Sequence, residues 1–478
     1  MTPNILLIVF DTARADAFEP YGAAPGASPT LADLAIAGTA SPDTRSTACW
    51  TVPAHLSLFS GLLPRAAGFV PAPSATGYRP LVRGQADDLL PAVLARAGYE
   101  TIGLSTNGLV SPWTGFDAGF EEFEFIRGWR TKKLSAESLR TRVAWYQEGF
   151  RARLDDGAAQ LERRLDSRLK SRSSRPFFWF VNLVECHSPY LPPRPYNDLS
   201  APDRLRAARE ARRYLSFSSI WKCSTGGFDV PPDALERMRH LYTAAVRQLD
   251  DWLGRVLEAL DRRGVLQETQ VVVTSDHGEN LGDGEMLGHA FSLDDRLLRV
   301  PLVTAGPAAL PAGGIRSLRA VPAWLANVAQ LGDHPFGTRD IEGVSVAEFD
   351  AALRPEDPRI VAAMDAWATP LEQREHVSRR LTTSFTCATD GQAKLVRRLD
   401  REELFDLTQD PLEEHPKVVE SHDCGGVDAE RLRRLRTALD RADAENRRTQ
   451  SDAADDDEAV PPDEAAQLEA QMRLLGYL

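Results

Sequence analysis

The sequence predicts an α/β fold. A large domain with a mostly parallel central sheet flanked by helices is followed by a smaller C-terminal α+β domain with a short antiparallel sheet. Three observations carry this. Apolar runs of strand length recur without polar alternation at Ile5–Phe10, Pro176–Val184 and Gln270–Ser275, as expected of strands buried on both faces. Segments of helical periodicity separate them, which is the βαβ pattern of a parallel sheet. After about residue 335 the long apolar runs give way to short strand-like stretches and a helix.

The elements follow in order. Ile5–Phe10 reads as the first central strand. Thr51–Gly61 (TVPAHLSLFSG) reads as a helix, with Pro53 in its first turn and Gly61 as its stop. Asp88–Ala97 is helical up to Gly98, and Thr101–Ser105 is a short strand. Pro176–Val184 (PFFWFVNLV) is the second long strand. Met238–Arg263 is helical and ends at Gly264. Gln270–Ser275 is the third buried strand, and Arg299–Ala305 is a fourth. This assigns residues 1–335 to the large domain. Within it, 127–175 form a basic helical insertion with 14 Lys/Arg against 6 Asp/Glu. A solvated helix pair explains that charge, and a basic lid over an anionic substrate is the functional alternative. In the C-terminal subdomain, 336–448, Lys394–Leu399 and Glu403–Leu407 form an antiparallel hairpin. An acidic linker, 449–463, precedes a terminal helix, 464–478, that docks through Leu468, Met472 and Leu475.

Composition limits the functional classes. The 478 residues are 43% hydrophobic and 26% charged, an ordinary globular balance. A net charge of -13 argues against general affinity for nucleic acid or anionic membranes. Only six of the 56 basic residues are lysines, a sign of source rather than of activity. The five cysteines are widely spaced and lack a C-x-x-C, so neither a thiolate zinc site nor a disulfide framework is expected. Reduced thiols and an N-terminal apolar run too short for a secretory h-region make the cytoplasm the expected location. No run approaches the roughly 20 apolar residues of a membrane span.

The chemistry-bearing residues cluster at strand ends. Asp11 follows the first strand, and Asp276-His277 follow the third. Parallel strands open on one edge, where ligands bind. Two carboxylates and an imidazole there suit a divalent cation, which compensates buried negative charge. Asp11 taken alone is explained as well by an ordinary loop cap. Thr51 begins a helix, where free N–H groups and the dipole favour an anion. Its hydroxyl there is either an N-cap or a nucleophile activated by the cation. His55 shares its helix face. His187, in ECHSPY, and His289, in GHA, are candidates for binding oxyanions or protonating a leaving group.

The motif order resembles the sulfatase family of the alkaline phosphatase superfamily: Asp11-Thr-x-Arg14-x-Asp16, T-x-P-x-H-x-S-L-x-S-G, H-S-P-Y, S-D-H-G-E, then G-H with R-V-P. LPAVLARAGYET, YTAAVRQLDDWLG, ELFDLTQDPLE and LLGYL extend the resemblance over nearly the whole chain. It implies metal-dependent hydrolysis of sulfate or phosphate esters. The departures are specific. Sulfatases make formylglycine from Cys or Ser in C/S-x-P-x-R, and here that frame reads Thr51-Val-Pro53-Ala-His55. Cys49 stands two residues too early. The second Asp of the family's N-terminal pair is Thr12. The family's two anion-binding lysines fall near Asn107 and His289. An unmodified threonine is closer to phosphodiesterases and phosphoethanolamine transferases of the superfamily.

The resulting expectation is a hydrolase of anionic esters with Thr51 as nucleophile, favouring phosphoesters. Asp11, Asp276, His277 and Thr51 hold one divalent ion. Zn²⁺ or Mn²⁺ suits the oxygen-plus-imidazole set better than Ca²⁺, which remains allowed. His187 and His289 assist catalysis, and His55, Arg14 and Asn107 bind substrate. A small anionic ester or a sulfated or phosphorylated glycan is the expected partner. The alternatives are a sulfatase working without formylglycine, a phospho-group transferase and a binding-only pseudoenzyme.

Overall fold

The computed structural model describes residues 2–449 apart from Pro73, 129–138, Leu154, 338–340, Asp400 and 420–427. The expected linker beyond Thr449, the terminal helix and part of the basic insertion lie outside the described residues. The main sheet has seven strands: β1 (Asn4–Phe10), β2 (Thr39–Ala40), β3 (Glu100–Ser105), β4 (Glu122–Phe125), β5 (Phe177–Leu183), β6 (Thr269–Thr274) and β7 (Leu302–Ala305). Their order is β2-β7-β6-β1-β5-β3-β4. The five strands from β6 to β4 are parallel, and β7 runs antiparallel to both its neighbours. The expected strand Arg299–Ala305 is thus two pieces. Pro301 has no N–H for a ladder, and Arg299–Val300 turns away to pair with Thr44–Arg45.

Strand alternation divides the core into two layers. Leu6, Ile8 and Phe10 pack with the helix Pro232–Arg262 through Leu249, Trp252 and Leu253. Ile5, Leu7 and Val9 pack with the helix Thr51–Ser60 through Val52, Leu56 and Phe59. The long helix starts six residues before the expected Met238, because Pro232 suits its first position. Gly61 closes the Thr51 helix at φ 73°, a left-handed conformation open to glycine. Among the described residues, no helix is long and apolar enough to cross a membrane. Cys49, Cys186, Cys223 and Cys387 are buried free thiols.

The expected hairpin is the centre of a larger antiparallel sheet. Its strands are β8 (Ser345–Phe349), β9 (Phe385–Thr389), β10 (Ala393–Arg397), β11 (Glu402–Asp406) and β12 (Lys417–Val419), paired in that order. One face carries Leu395 and Leu404 against Leu432, Leu435 and Leu439 of the helix Ala429–Thr449, spaced as a helical stripe. The other face carries Phe349, Val396 and Phe405 against Cys49, Phe291, Leu297 and Leu298 of the large body.

Lys394 is a buried charge on that second face. It is fully buried, and its Nζ donates to Leu293 O at 2.9 Å, Asp295 at 2.7 Å and Glu413 at 2.8 Å. Removing one partner of a buried ion cluster strands the others, at about 3–5 kcal/mol. Lys394→Met should therefore lower the urea midpoint sharply. Lys170→Met breaks only an exposed pair with Asp166 and should leave the midpoint unchanged.

Candidate metal and ester site

Strand register places the two carboxylates together. Val9 pairs with Thr274, so two residues further on Asp11 leaves β1 beside Asp276 leaving β6. Ser105 pairs with Asn182 on β5, and this brings Asn107 to the same edge. Asp11, Asp276 and His277 each present one ligand atom within 4.8 Å of the others, and all three residues are buried. Asp11 Oδ2 accepts from Asn107 Nδ2 at 2.7 Å and Asn182 Nδ2 at 3.4 Å. Asp276 Oδ1 accepts from the N–H groups of Thr12 at 3.1 Å and His277 at 2.9 Å. The other oxygens, Asp11 Oδ1 and Asp276 Oδ2, are buried without a hydrogen-bond partner. Such atoms are costly in a protein interior unless something positive meets them.

Thr51 is the first residue of its helix, and Trp50 holds the N-cap position without a side-chain capping bond. Thr51 Oγ1 lies 3.4 Å from His277 Nε2. The hydroxyl is therefore directed at the carboxylate–imidazole cluster from a helix N-terminus.

The imidazole tautomers follow from their partners. Nδ1 faces Gly278 O at 2.9 Å in His277, Ser188 O at 2.8 Å in His187, Glu279 Oε1 at 2.9 Å in His289 and Thr51 O at 2.9 Å in His55. An oxygen that only accepts requires N–H on that side, which makes Nε2 the acceptor nitrogen in each ring. For His277 this is the form that ligates a metal, its other nitrogen oriented by a carbonyl. The rings form a row: His277 and His289 centroids are 4.7 Å apart, and His289 and His187 are 4.8 Å apart.

Electrostatics define what the cluster lacks. Burial, and then repulsion from Asp276, pushes Asp11 up to about 8. Burial pushes Asp276 up to about 7. Burial also lowers His277 to about 4 and both His289 and His55 to about 3. Neutral imidazoles beside two strained carboxylates leave a deficit of positive charge. The donor set of two carboxylate oxygens, one imidazole nitrogen and a hydroxyl fits a divalent cation.

Three expected substrate residues have other partners. Asn107 holds Asp11 and accepts from Leu109 N at 2.8 Å, so its amide orients a carboxylate. His55 is fully buried. Its Nε2 meets Asn182 Nδ2 at 3.4 Å, and its ring lies against Phe59, Phe116 and Phe180. Arg14 is neutralised by Asp16 and Asp283, each at 2.6 Å. Sequence reasoning missed Asn182, Glu279 and Thr12. Asn182 was visible as the lone amide inside FFWFVNLV. Glu279 was quoted in S-D-H-G-E without its role as acceptor for His289. Thr12 has φ 59°, a strained conformation for a β-branched residue. That turn aims its N–H at Asp276.

A mostly parallel sheet with Asp11, Asp276, His277 and Thr51 gathered at its carboxyl edge is in keeping with the α/β fold of the alkaline phosphatase superfamily. The chain belongs to the sulfatase family within it, whose profile, Sulfatase, matches residues 3–331. It is 32% identical over 152 residues to the multifunctional alkaline phosphatase superfamily protein PehA of Trinickia caryophylli, covering 28% of this chain and 29% of that protein. It is 27% identical over 253 residues to choline-sulfatase of Rhizobium meliloti (strain 1021), covering 50% and 46%. The chain thus matches less than half the length of both relatives. The phosphonate monoester hydrolase of Agrobacterium radiobacter shares the fold, with TM-score 0.59, 18% identity and coverage of 94% and 96%.

Two predictions follow from this geometry. Asp276→Asn should abolish stoichiometric divalent metal in the purified protein, and Asn107→Ala should weaken metal affinity by about 10–100-fold. Elemental analysis and competition with a chelating dye measure both, and unchanged metal in Asp276→Asn refutes the assignment. The second concerns pH. Above the ordinary histidine value of 6.5, where the depressed imidazoles are neutral in both states, the raised carboxylates make the metal-free fold bind more protons than the unfolded chain, up to about pH 8. Stability of the chelator-treated protein should therefore fall as pH rises through that window. Added divalent metal should raise Tm more at the alkaline end than at the acid end.

Proposed function

We propose that the protein is a metal-dependent hydrolase of anionic esters, with Thr51 as nucleophile and a preference for phosphoesters over sulfate monoesters. The observation that carries this is the Thr51 hydroxyl at a helix N-terminus, 3.4 Å from His277 Nε2 and beside two carboxylates with unsatisfied oxygens. Asp11, Asp276, His277 and Thr51 would hold the ion. When bound, it supplies positive charge that lowers the pKa of a hydroxyl and stabilises developing charge on ester oxygens. Zn²⁺ or Mn²⁺ matches the mixed oxygen and nitrogen donors.

The chain's own groups supply the remaining steps. The helix N-terminus orients the anion. Thr51 Oγ1 forms the new bond to phosphorus as the ester oxygen leaves. His187 and His289 carry their resting proton on Nδ1, so one of them takes the Thr51 Oγ1 proton on Nε2 and passes it to the leaving alkoxide. A dianionic ester beside them favours that protonated form. Water then attacks phosphorus in line and releases Thr51.

Threonine sets the preference. Formylglycine hydrate has two hydroxyls on one carbon, one to attack sulfur and one to expel sulfate by C–O cleavage. Thr51 has one hydroxyl and no such exit, whereas a phosphothreonine is open to attack at phosphorus. Cys49 offers no substitute. It is buried in the apolar cluster with Phe291, Leu297 and Cys387, and burial raises its thiol pKa far above the ordinary range.

Sulfate ester hydrolysis through direct water attack is the second reading, favoured by the family and by the likeness to choline-sulfatase. Small anionic esters and sulfated glycans are the substrate classes to screen. Matched p-nitrophenyl sulfate, phosphate and phosphodiester distinguish the readings by kcat/KM with the metal varied. A clear preference for the sulfate ester sinks the phosphoester reading. Thr51→Ala should lose on the order of 10³-fold in kcat, equivalent to about 4 kcal/mol, while Thr51→Ser keeps part of the rate. Near-normal turnover in Thr51→Ala removes Thr51 as nucleophile.

A further inference from the structure

The segment from Gly284 to Arg296 serves two places. His289 within it joins the imidazole row. Residues on both sides of His289 line a separate cavity of about 580 Å³ against the small sheet. Four arginines line this cavity: Arg296, Arg380 from the helix Leu371–Thr382, and Arg398 and Arg401 from the β10–β11 turn.

Charge pairing in the cavity is incomplete. Arg398 and Arg401 share Glu403, at 3.0 and 2.7 Å. Glu413 is engaged by Lys394, and Glu285 and Glu414 stand exposed at the rim. Arg296 gives Nη2 to Asp294 at 2.9 Å, and its side chain is only 8% exposed. Its Nε and Nη1 are nevertheless buried with no hydrogen-bond partner. Arg380 donates Nε to Ser224 O at 3.2 Å and sets Nη2 3.9 Å from Met286 Sδ. Among the described residues no carboxylate pairs with it. Burial and the neighbouring Arg398 depress its pKa, and Asp294 and Glu403, beyond ion-pair distance, offset this only in part. At Arg380 a water molecule would satisfy an N–H group but would not neutralise the guanidinium charge, which at Arg296 is met by Asp294. An oxyanion does both, through charge-assisted bonds to planar donors.

We infer that this cavity is a second oxyanion site, in which Arg296 and Arg380 take a sulfate, phosphate or carboxylate group. It stands on observations independent of the chemistry at Thr51. Two sources supply such a group: a remote anionic substituent of a large ester substrate, or a free inorganic oxyanion of the product class.

Selenate soaked into crystals of the full chain tests the site by anomalous scattering. The expected result is a peak within hydrogen-bond reach of Arg296 and Arg380 that disappears in Arg380→Gln. No peak there, or a peak only beside Thr51, overturns the inference and leaves the proposed function untouched. In solution, sulfate titrated at constant ionic strength should bind this site about tenfold more weakly in Arg380→Gln and Arg296→Gln. Equal affinity in a folded Arg380→Gln also overturns it. Arg380 is only half-buried, so this variant carries the test if Arg296→Gln fails to fold. A pair of esters differing by one distant carboxylate separates the sources. If the substituent occupies the site, Arg380→Gln raises KM for the doubly charged ester alone. If a free anion does, KM is unchanged for both esters and sulfate loses its effect on Tm.

Discussion

The structure depends on two carboxylates held side by side where water is excluded. Asp11 and Asp276 leave neighbouring parallel strands at the same level, and neither strand can slip without turning its side chains to the opposite face. Much of the surrounding structure serves this pair. Asn107 and Asn182 give amide donors to one carboxylate, and two backbone N–H groups serve the other. Thr12 adopts a left-handed turn to supply one of those N–H groups. Strain at such positions costs about 1–3 kcal/mol and persists where surrounding contacts over-determine it.

The imidazoles answer the same constraint. In a dry site they stay neutral, and each is held in one tautomer by an oxygen at Nδ1. The row from His277 through His289 to His187 thus carries an acceptor nitrogen on each ring. His55 lies behind it, among phenylalanines, and ties Thr51 O to Asn182. A helix, two strand ends and a loop are in this way locked to one another at the carboxyl edge of the sheet.

The small sheet bears on the site through the segment leading to Thr51, where Glu348 N donates to Thr47 O at 2.8 Å and Cys49 packs on the sheet, and through the loop that carries His289. Phe291, Leu293 and Leu297 pack against Phe349, Val396 and Phe405. Asp295 N donates to Glu413 at 2.6 Å, and Lys394 bridges Asp295 and Glu413. This anchors the segment carrying His289 from its far side. The ester site and the arginine-lined cavity consequently share a single piece of chain.

The sequence by itself determined the central strands β1, β5 and β6 and the placement of Asp11, Thr51, Asp276 and His277, because continuous apolar runs identify parallel strands and strand ends identify their ligand-binding edge. It also exposed the departure at Thr51, since the frame around Pro53 is local. It did not reveal that Asn107 and His55 orient other groups, or that Arg14 is neutralised by Asp16 and Asp283. Those roles depend on which partner a side chain meets across long stretches of chain. The hairpin at β10–β11 was legible from its own alternation. Its growth to five strands was not, because β8 and β12 are short and acquire their character only by pairing. Arg299–Ala305 read as one strand, and Pro301 divides it between two sheets. The charge balance around Arg296 and Arg380 was decided by tertiary structure alone. An arginine's partner is set by distance in space, and local sequence carries no record of that distance.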